Sequence, residues 1–344
     1  MTMDGVSVII CCYNSSTRLP GALSHLRHQK VSPSIPWEVI VVDNASTDNT
    51  TAVAHQYWPS DVPTSLRVVY EPRLGLSHAR RRGFSEASYG VVSFVDDDNW
   101  VCSNWIELVS EIMNQHPEMG ACGGRTEAVC EVPPPFWFER YKRHYAIGAQ
   151  ADEAGDISQK KGSLWGAGLT IRKTAWQKLL DHGFQPLLID RQGANLSTGG
   201  DGELSRALHL VGWGLWYDPR LQLQHFLSAY RFEWRYLRRL CRGDGAASVF
   251  WDLYRYALRG DPPTVKEKLK RSWQWKIFAA FTKILLYGGK ACFSHESRRE
   301  GNPDVLVLES FIGRLSELLR ARQTYRRTFN KERLKRLSRG YFFT

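Results

Sequence analysis

GVVSFVDDDNW, residues 90–100, carries an almost wholly apolar run straight into three consecutive aspartates. A run with no polar face reads as a strand covered on both sides. Carboxylates crowded at its end repel one another, so they either serve the turn that follows or hold something positive. Two carboxylates at i and i+2 on a turn can approach one divalent cation, whose charge removes the repulsion and in turn binds a diphosphate. A helix cap is the competing use, because the helical stretch NWIELVSEIMNQH (104–116) follows. One aspartate suffices for a cap; three favour the metal.

The same kind of run occurs three times upstream. VSVIICCY (6–13) precedes TRLPGALSHLRHQ with its helically spaced leucines, and WEVIVVDNAS (37–46) precedes a helix expected to be capped at Ser46 or Thr47 and to reach about Tyr57. LRVVYEP (66–72) precedes GLSHARRRGFSEA. Buried strands alternating with helices predict an α/β fold with a parallel, doubly wound sheet, in which ligands bind beyond the carboxyl ends of the strands. Tyr13-Asn14, Asp43-Asn44, Glu71-Pro72 and Asp96-Asp97-Asp98 all fall at such ends, so four polar clusters are expected on one edge. Downstream the pattern is mixed. ACGGRTEAVC (121–130) reads as a further strand, VPPPFWFERY (132–141) as a loop, GSLWGAGLTIRK (162–173) as a loop feeding a strand, and DGELSRALHLVG (201–212) as a helix. WGLWYDP and LQLQHF read as two short strands.

The formal net charge of +11 makes nucleic acid or an anionic membrane a candidate partner. It is unevenly spread: residues 1–228 hold 20 Lys and Arg against 24 Asp and Glu, and residues 229–344 hold 26 against 11. Seven cysteines without a C-x-x-C pair predict neither a disulfide framework nor a zinc site and suit a reducing cytosol. An acidic N-terminus with a short apolar run gives no expectation of a signal peptide. IFAAFTKILLYGG (277–289) is too short to span a bilayer and carries Lys283.

Five blocks, VSVIICCYN, EVIVVDNASTDNT, GLSHARRRG, VVSFVDDDN and STGGDGELSRAL, stand in the order and spacing of family 2 glycosyltransferases. Over roughly residues 5–228 the chain resembles that family, and PPPFWF, GAGL and the basic C-terminal extension resemble its bacterial polysaccharide-assembly branch. The resemblance implies a GT-A fold, Rossmann-like, with a mostly parallel sheet flanked by helices and a helical basic C-terminal extension. It implies a nucleoside-diphosphate sugar donor, with a UDP-sugar expected, and Mn2+ or Mg2+ as cofactor. Asp43 matches the aspartate that reads the nucleobase, although a cap for the following helix is its plainer use. Asp96 matches the residue facing the ribose and Asp98 the metal ligand, with Asp97 between them on the donor side. Arg80 matches an arginine near the nucleotide, while Arg81 stands where the family commonly has Asn, leaving Arg81 and Arg82 as solvated.

Asp201 fits the catalytic base, which a hydroxyl acceptor needs because its pKa lies far above 7. Direct displacement by one base implies inversion at the anomeric carbon. Gly200 replaces the Glu the family commonly has here, which motivates the alternative of a non-catalytic nucleotide-sugar or carbohydrate-binding relative; an N-cap is the structural use of Asp201. Glu203 cannot share the face of Asp201 on a helix. The resemblance places His225 near the diphosphate or metal, as the second metal ligand, with an ordinary core or surface histidine as its plainer use; Trp165, beside Gly166 and Gly168, is expected to shape the acceptor or donor-sugar pocket, with a core Trp in a tight turn as the alternative.

Two regions follow: a GT-A domain over 1–228 and a helical basic region over 229–344, with RGDPPT (259–264) as a joint inside the latter. AYRFEWRYLRRLCRG (229–243), FWDLYRYALRG (250–260) and KEKLKRSWQWKIFAAFTKILLYGGK (266–290) mix aromatic, basic and apolar residues. An interfacial helix uses both kinds. A peripheral position on the cytoplasmic face of the inner membrane is therefore expected, serving a glycan or lipid-linked acceptor. A helical cap packed on the catalytic domain is the plainer alternative, and nucleic-acid binding ranks behind both.

Overall fold

The computed structural model describes residues 3–59, 62–160, 162–188, 199–259, 264–293 and 300–323. Its first half alternates strand and helix as the apolar runs dictate. The strands are β1 (Met3–Cys12), β2 (Trp37–Asp43), β3 (Leu66–Tyr70) and β4 (Tyr89–Phe94). Between them lie α1 (Leu19–Arg27), α2 (Thr50–Gln56) and α3 (Leu76–Glu86). The four strands are parallel in the order β3-β2-β1-β4. Successive side chains leave a strand on opposite faces. Ile9 and Ile40 therefore enter the core under Ala79 and Phe84, while Val8, Ile10, Val39 and Val41 enter the other core with Leu19, Leu23 and Leu26. Two buried faces leave no room for a polar alternation, which is why the runs are continuous.

Two local expectations change. The α2 helix begins at Thr50 with Asn49 in the cap position, because Ser46 and Thr47 are drawn into the preceding loop: Asn14 N donates to Ser46 Oγ at 3.1 Å and Thr47 N donates to Asn14 Oδ1 at 2.8 Å. The three aspartates do not cap the helix after them either. A short strand, β5 (Asn99–Val101), intervenes before α4 (Trp105–Gln115).

The rest of the sheet comprises β6 (Met119–Cys130), β7 (Gly155–Asp156), β8 (Thr170–Arg172) and β9 (Gly214–Leu227). The order continues β4-β8-β6-β9-β5, with β8 antiparallel to β4 and β6, β9 parallel to β6, and β7 paired to β9. The two short strands expected around WGLWYDP and LQLQHF are one fourteen-residue strand. Its pairing with β6 slips between Gly123–Tyr217 and Arg125–Gln222. Pro219, lacking an N–H, falls in that slip. Gly124 sits opposite it, where a Cβ would lie 1.7 Å from Leu221 O. The remaining elements of this half are α5 (Phe138–Tyr141), α6 (Lys173–Asp181) and α7 (Gly200–Leu210). Among the described residues no disulfide is present.

After a 3-10 turn at Ala229–Phe232 come α8 (Trp234–Arg259), α9 (Val265–Arg271), α10 (Trp273–Phe293) and α11 (Pro303–Arg320). The joint at RGDPPT falls largely on residues 260–263, outside the described residues. Tyr236, Leu237 and Leu240 of α8 share a core with Trp137, Phe138, Tyr145 and Leu227, so the helical region packs on the sheet-bearing part. Buried acids pin the basic helices together: Glu309 of α11 accepts from Arg238 and Arg242 of α8, and Asp252 of α8 pairs with Lys276 of α10 and Arg314 of α11. No described helix is long and apolar enough to cross a membrane.

The α8–α11 crossing depends on two glycines. A Cβ on Gly245 would lie 1.9 Å from Ser310 O, and one on Gly313 would lie 1.9 Å from Arg242 O, in each case against backbone. Rigid backbone cannot yield as a side chain does. Gly245→Ala or Gly313→Ala is expected to lower stability by at least about 2 kcal/mol, read by urea denaturation, because overpacking forces the helices apart. An unchanged midpoint for both would mean the crossing relaxes freely.

Candidate active site

The parallel half of the sheet brings the ends of β1, β2 and β4 to one edge, and they open into a cleft of about 590 Å³. Cys12 and Tyr13, Asn44, and Asp96, Asp97 and Asp98 line it, as do Arg80, Trp165, Gly166 and Asp201, and His225, Tyr230 and Arg231. Glu71, the fourth expected cluster, turns away to accept from Arg73 N at 3.0 Å and Nε at 2.9 Å. Asn44 instead ties the ends of β2 and β3 together, donating to Glu71 O and Arg73 O and accepting from Gly75 N. A second cavity of about 630 Å³ next to α3 is lined by Ser77, His78 and Arg81, with no carboxylate among the described residues.

Each of the three aspartates faces its own arginine. Arg18 Nη2 and Nε donate to Asp97 Oδ2 at 2.7 and 3.1 Å, and Arg231 Nη2 donates to Asp98 Oδ2 at 2.6 Å. Arg80 lies close enough to Asp96 to favour its ionised form. The like-charge repulsion posed by the sequence is thus offset by protein cations. The offset is incomplete: burial, then the charge of Asp98, push Asp96 up to about 6 against the pull of Arg80. Asp97 is raised by the same two causes, with Arg18 opposing. Burial disfavours the charge on Arg231, yet Asp98 beside it leaves the guanidinium held more firmly than in water.

His225 has a defined tautomer. Its Nδ1 lies 3.1 Å from Tyr145 O, a carbonyl that only accepts, so the proton is assigned to Nδ1. Nε2 then presents a lone pair, which accepts from Arg231 Nη1 at 2.8 Å and stands 3.5 Å from Asp98 Oδ2. β5 and β9 create this meeting, since Asn99 pairs with His225 across them. The Arg231 guanidinium therefore bridges the two expected metal ligands.

Asp201 lies in the first turn of α7, whose cap position is held by Gly199 with φ 98°. Its carboxylate does not cap the helix. Oδ2 accepts from Gly166 N at 2.7 Å and Oδ1 from Gly202 N at 2.8 Å, tying the GAG loop to α7. A Cβ on Gly166 would meet Arg80 Nη2 at 3.2 Å and Asp201 Oδ2 at 3.5 Å, so the loop approaches both groups closely. Trp165 forms part of the wall, with Arg143 5.7 Å over its ring. Glu203, as the helical spacing required, points elsewhere. Fully buried, it accepts from Leu187 N, Leu188 N and Tyr254 Oη, and so holds the chain before the 189–198 segment. Arg82 pairs with Glu86 at 3.0 Å, whereas Arg81 is exposed.

Asp43 is the one expected donor-binding residue that does not line the cleft. It is buried, with Oδ1 accepting from Ser46 N at 2.9 Å and Oδ2 from Thr51 Oγ1 at 2.7 Å, so it braces the loop into α2 one residue from Asn44. Arg18, Arg231 and His144 were not anticipated. Arg18 had a faint signal, standing just after the first strand end, where a helix start meets the cleft. His144 contacts Asp244 at 3.1 Å, and that hydrogen bond, then Cys241, push its pKa up to about 10. Asp244→Asn is expected to bring the His144 NMR titration midpoint down towards the ordinary value near 6.5; no movement would remove Asp244 as the cause.

The profile of the family described as Glycosyl transferase family 2 matches residues 7–180, which include Asp43, Arg80, Asp96, Asp97, Asp98 and Trp165 but end before Asp201 and His225. EpsH of Bacillus subtilis is 24% identical over 127 residues, 37% of this chain and 36% of that protein. The chain thus spans about a third of the length of such relatives. The glucosyl-dolichyl phosphate glucuronosyltransferase of Haloferax volcanii is 20% identical over 241 residues, 69% of this chain and 75% of that one. Among solved structures, S. aureus TarS 1–349 superposes with a TM-score of 0.51 at 15% identity, covering 93% of this chain and 92% of that one. The same TarS fragment in complex with UDP-GlcNAc gives 0.50 at 14% identity, covering 93% and 92%. At these identities the likeness is one of fold.

Proposed function

The chain belongs to glycosyl transferase family 2, and from that premise we propose that it is an inverting glycosyltransferase moving a sugar from a nucleoside-diphosphate sugar to a glycan or lipid-linked acceptor in polysaccharide assembly. The observation that carries this reading is one cleft holding both a carboxylate braced by two backbone N–H groups, Asp201, and the Asp96–Asp98 edge with its arginines.

The roles follow from the surroundings. Each oxygen of Asp201 spends one lone pair on a glycine N–H and keeps another for the cleft, so the carboxylate is oriented and still able to take the acceptor's proton. Attack from that side expels the diphosphate on the other and inverts the anomeric centre. Arg80 supplies fixed positive charge for the departing phosphates, and the Trp165 indole offers an apolar wall to a sugar ring. Asp96 is assigned to the ribose and Asp97, clamped by Arg18, to shaping that end. Asp43, with both oxygens bonded to Ser46 N and Thr51 Oγ1, serves the donor end only by holding the loop beside Asn44, which lines the cleft. A UDP-sugar is the donor we favour, supported by the UDP-GlcNAc complex of the TarS fragment.

Mn2+ or Mg2+ would be held by Asp98 Oδ2 and His225 Nε2, beside Arg231 in the cleft. Both groups now contact the Arg231 guanidinium, so a bound ion would take the place of that cation. Among the described residues no group of three or more carboxylate, imidazole or thiol side chains gathers for a metal. Two protein donors completed by substrate phosphates are the usual arrangement for such ions. The chemistry a bound ion supplies is stabilisation of the charge that grows on the leaving diphosphate. A lipid-linked acceptor would be met at the cytoplasmic face of a membrane, where we place the enzyme.

Turnover of a panel of UDP- and GDP-sugars with Mn2+ or Mg2+ is the test. One UDP-sugar should be consumed, and EDTA should stop the reaction. Donor binding without hydrolysis or transfer would identify the chain as a binding relative instead.

A further inference from the structure

The α10 helix has two unlike faces. Towards α8 and α11 it turns Trp273, Ile277 and Ala280 into a core with Phe250, Leu253 and Leu318, while Lys276 pairs with the buried Asp252. Away from them it turns Trp275, Phe278, Phe281, Leu285 and Leu286, which are 39, 58, 51, 61 and 50% exposed. At 100° per residue these five fall within an arc of about 140°. Lys283 and Lys290 border the arc, each packed over the Tyr287 ring. In α9, just before it, Val265 and Leu269 are 83 and 58% exposed, alternating with exposed Lys266, Lys268 and Lys270.

Single exposed apolar residues are ordinary, but five large ones on one arc, interrupted only by Gln274 and Thr282, mark a surface that something covers. Charge says what. Residues 265–293 carry seven Lys and Arg against one acidic residue, Glu267; with Lys276 buried on Asp252, six of the seven remain against that one. A second copy laid on this face would bring like charges together, and α10, though 21 residues long, carries Lys276, Lys283 and Lys290 and is not apolar enough to cross a membrane. An apolar stripe with aromatic residues, edged by lysines, suits a helix lying in the interfacial zone of a bilayer, rings at the headgroup level and ammonium groups on lipid phosphates.

We propose that the outer face of α9 and α10 is a docking surface for an anionic phospholipid bilayer. It rests on the membrane position proposed above and names the side chains that make it. Wild-type full-length chain should float with phosphatidylcholine vesicles containing phosphatidylserine and much less with phosphatidylcholine alone, and the difference should shrink in high salt. Lys283→Ala/Lys290→Ala should lower the partition coefficient about 30-fold, equivalent to about 2 kcal/mol at about 1 per lysine. Phe278→Glu/Leu285→Glu should abolish flotation. These side chains face solvent, so an unchanged circular dichroism melt certifies the fold. No flotation of the wild type, or flotation unaltered in Phe278→Glu/Leu285→Glu, overturns the proposal. So does a concentration-dependent dimer that this variant dissolves, which would give the face to a second copy. Donor hydrolysis in detergent-free buffer, measured on the wild-type preparation, separates the two readings: wild-type flotation that the variant loses, without any donor turnover, sinks the enzyme and spares the surface, and turnover without flotation does the opposite.

Discussion

Asp201→Asn should lower kcat by about 10³-fold, within the range of about 10² to 10⁴ that a positioned general base contributes, while the donor dissociation constant changes by no more than a few-fold. The reason is geometric. Asp201 lines the same cleft as Asp96, Asp97 and Asp98 from the first turn of α7, where the proposed base would meet the acceptor. An Asn keeps one acceptor for Gly166 N or Gly202 N and sets its amide against the other. The local cost is on the order of 1–3 kcal/mol, visible as a lower melting temperature but not able to abolish chemistry in a chain that remains folded. Transfer rates, donor titration calorimetry and a melt on the same preparation resolve the three effects. Turnover equal to wild type would move the base elsewhere; loss of donor binding equal to the loss of rate would make Asp201 a binding group.

Asp98→Asn should lose two things together. Mn2+-dependent donor binding should disappear, because the carboxylate oxygen opposite His225 Nε2 is gone. Stability should also fall by about 3 kcal/mol, since breaking a buried pair leaves an uncompensated charge. The side chains of Asp98 and Arg231 are only 7 and 12% exposed and lie 2.6 Å apart. The aspartate is thus not a spare ligand on an indifferent scaffold, and a substitution there does not leave stability untouched. Asp98→Asn/Arg231→Gln separates the roles: removing both charges should restore most of the stability, read by urea denaturation, without restoring metal-dependent binding. If the double variant recovers both, Asp98 serves only to neutralise Arg231.

Much of this was legible in the linear chain. Continuous apolar runs of strand length, separated by helically spaced leucines, have one stable solution, a sheet covered on both faces. Its polarity puts residues such as Asn44 and Asp96 at strand ends on a common edge. The i, i+3, i+4 rule correctly sent Glu203 away from Asp201. Where the reading strayed, a local signal competed with a distant partner. Ser46 has the chemistry of a cap, yet Asn14 from another strand end claims it. WGLWYDP and LQLQHF look divided by Pro219, yet β6 slips register to hold them as one strand.

Periodicity, strand ends and ordered motifs, each read within a few tens of residues, encode the α/β fold, the edge that carries the cleft, and the acids upon it. Tertiary structure alone decided the counter-charges. Arg18 meets Asp97 across 79 residues and Arg231 meets Asp98 across 133, and Gly166 reaches Asp201 through a loop no pattern could place. A buried carboxylate accepts whichever cation the completed fold delivers, and delivery depends on the packing of whole elements, which no local stretch records.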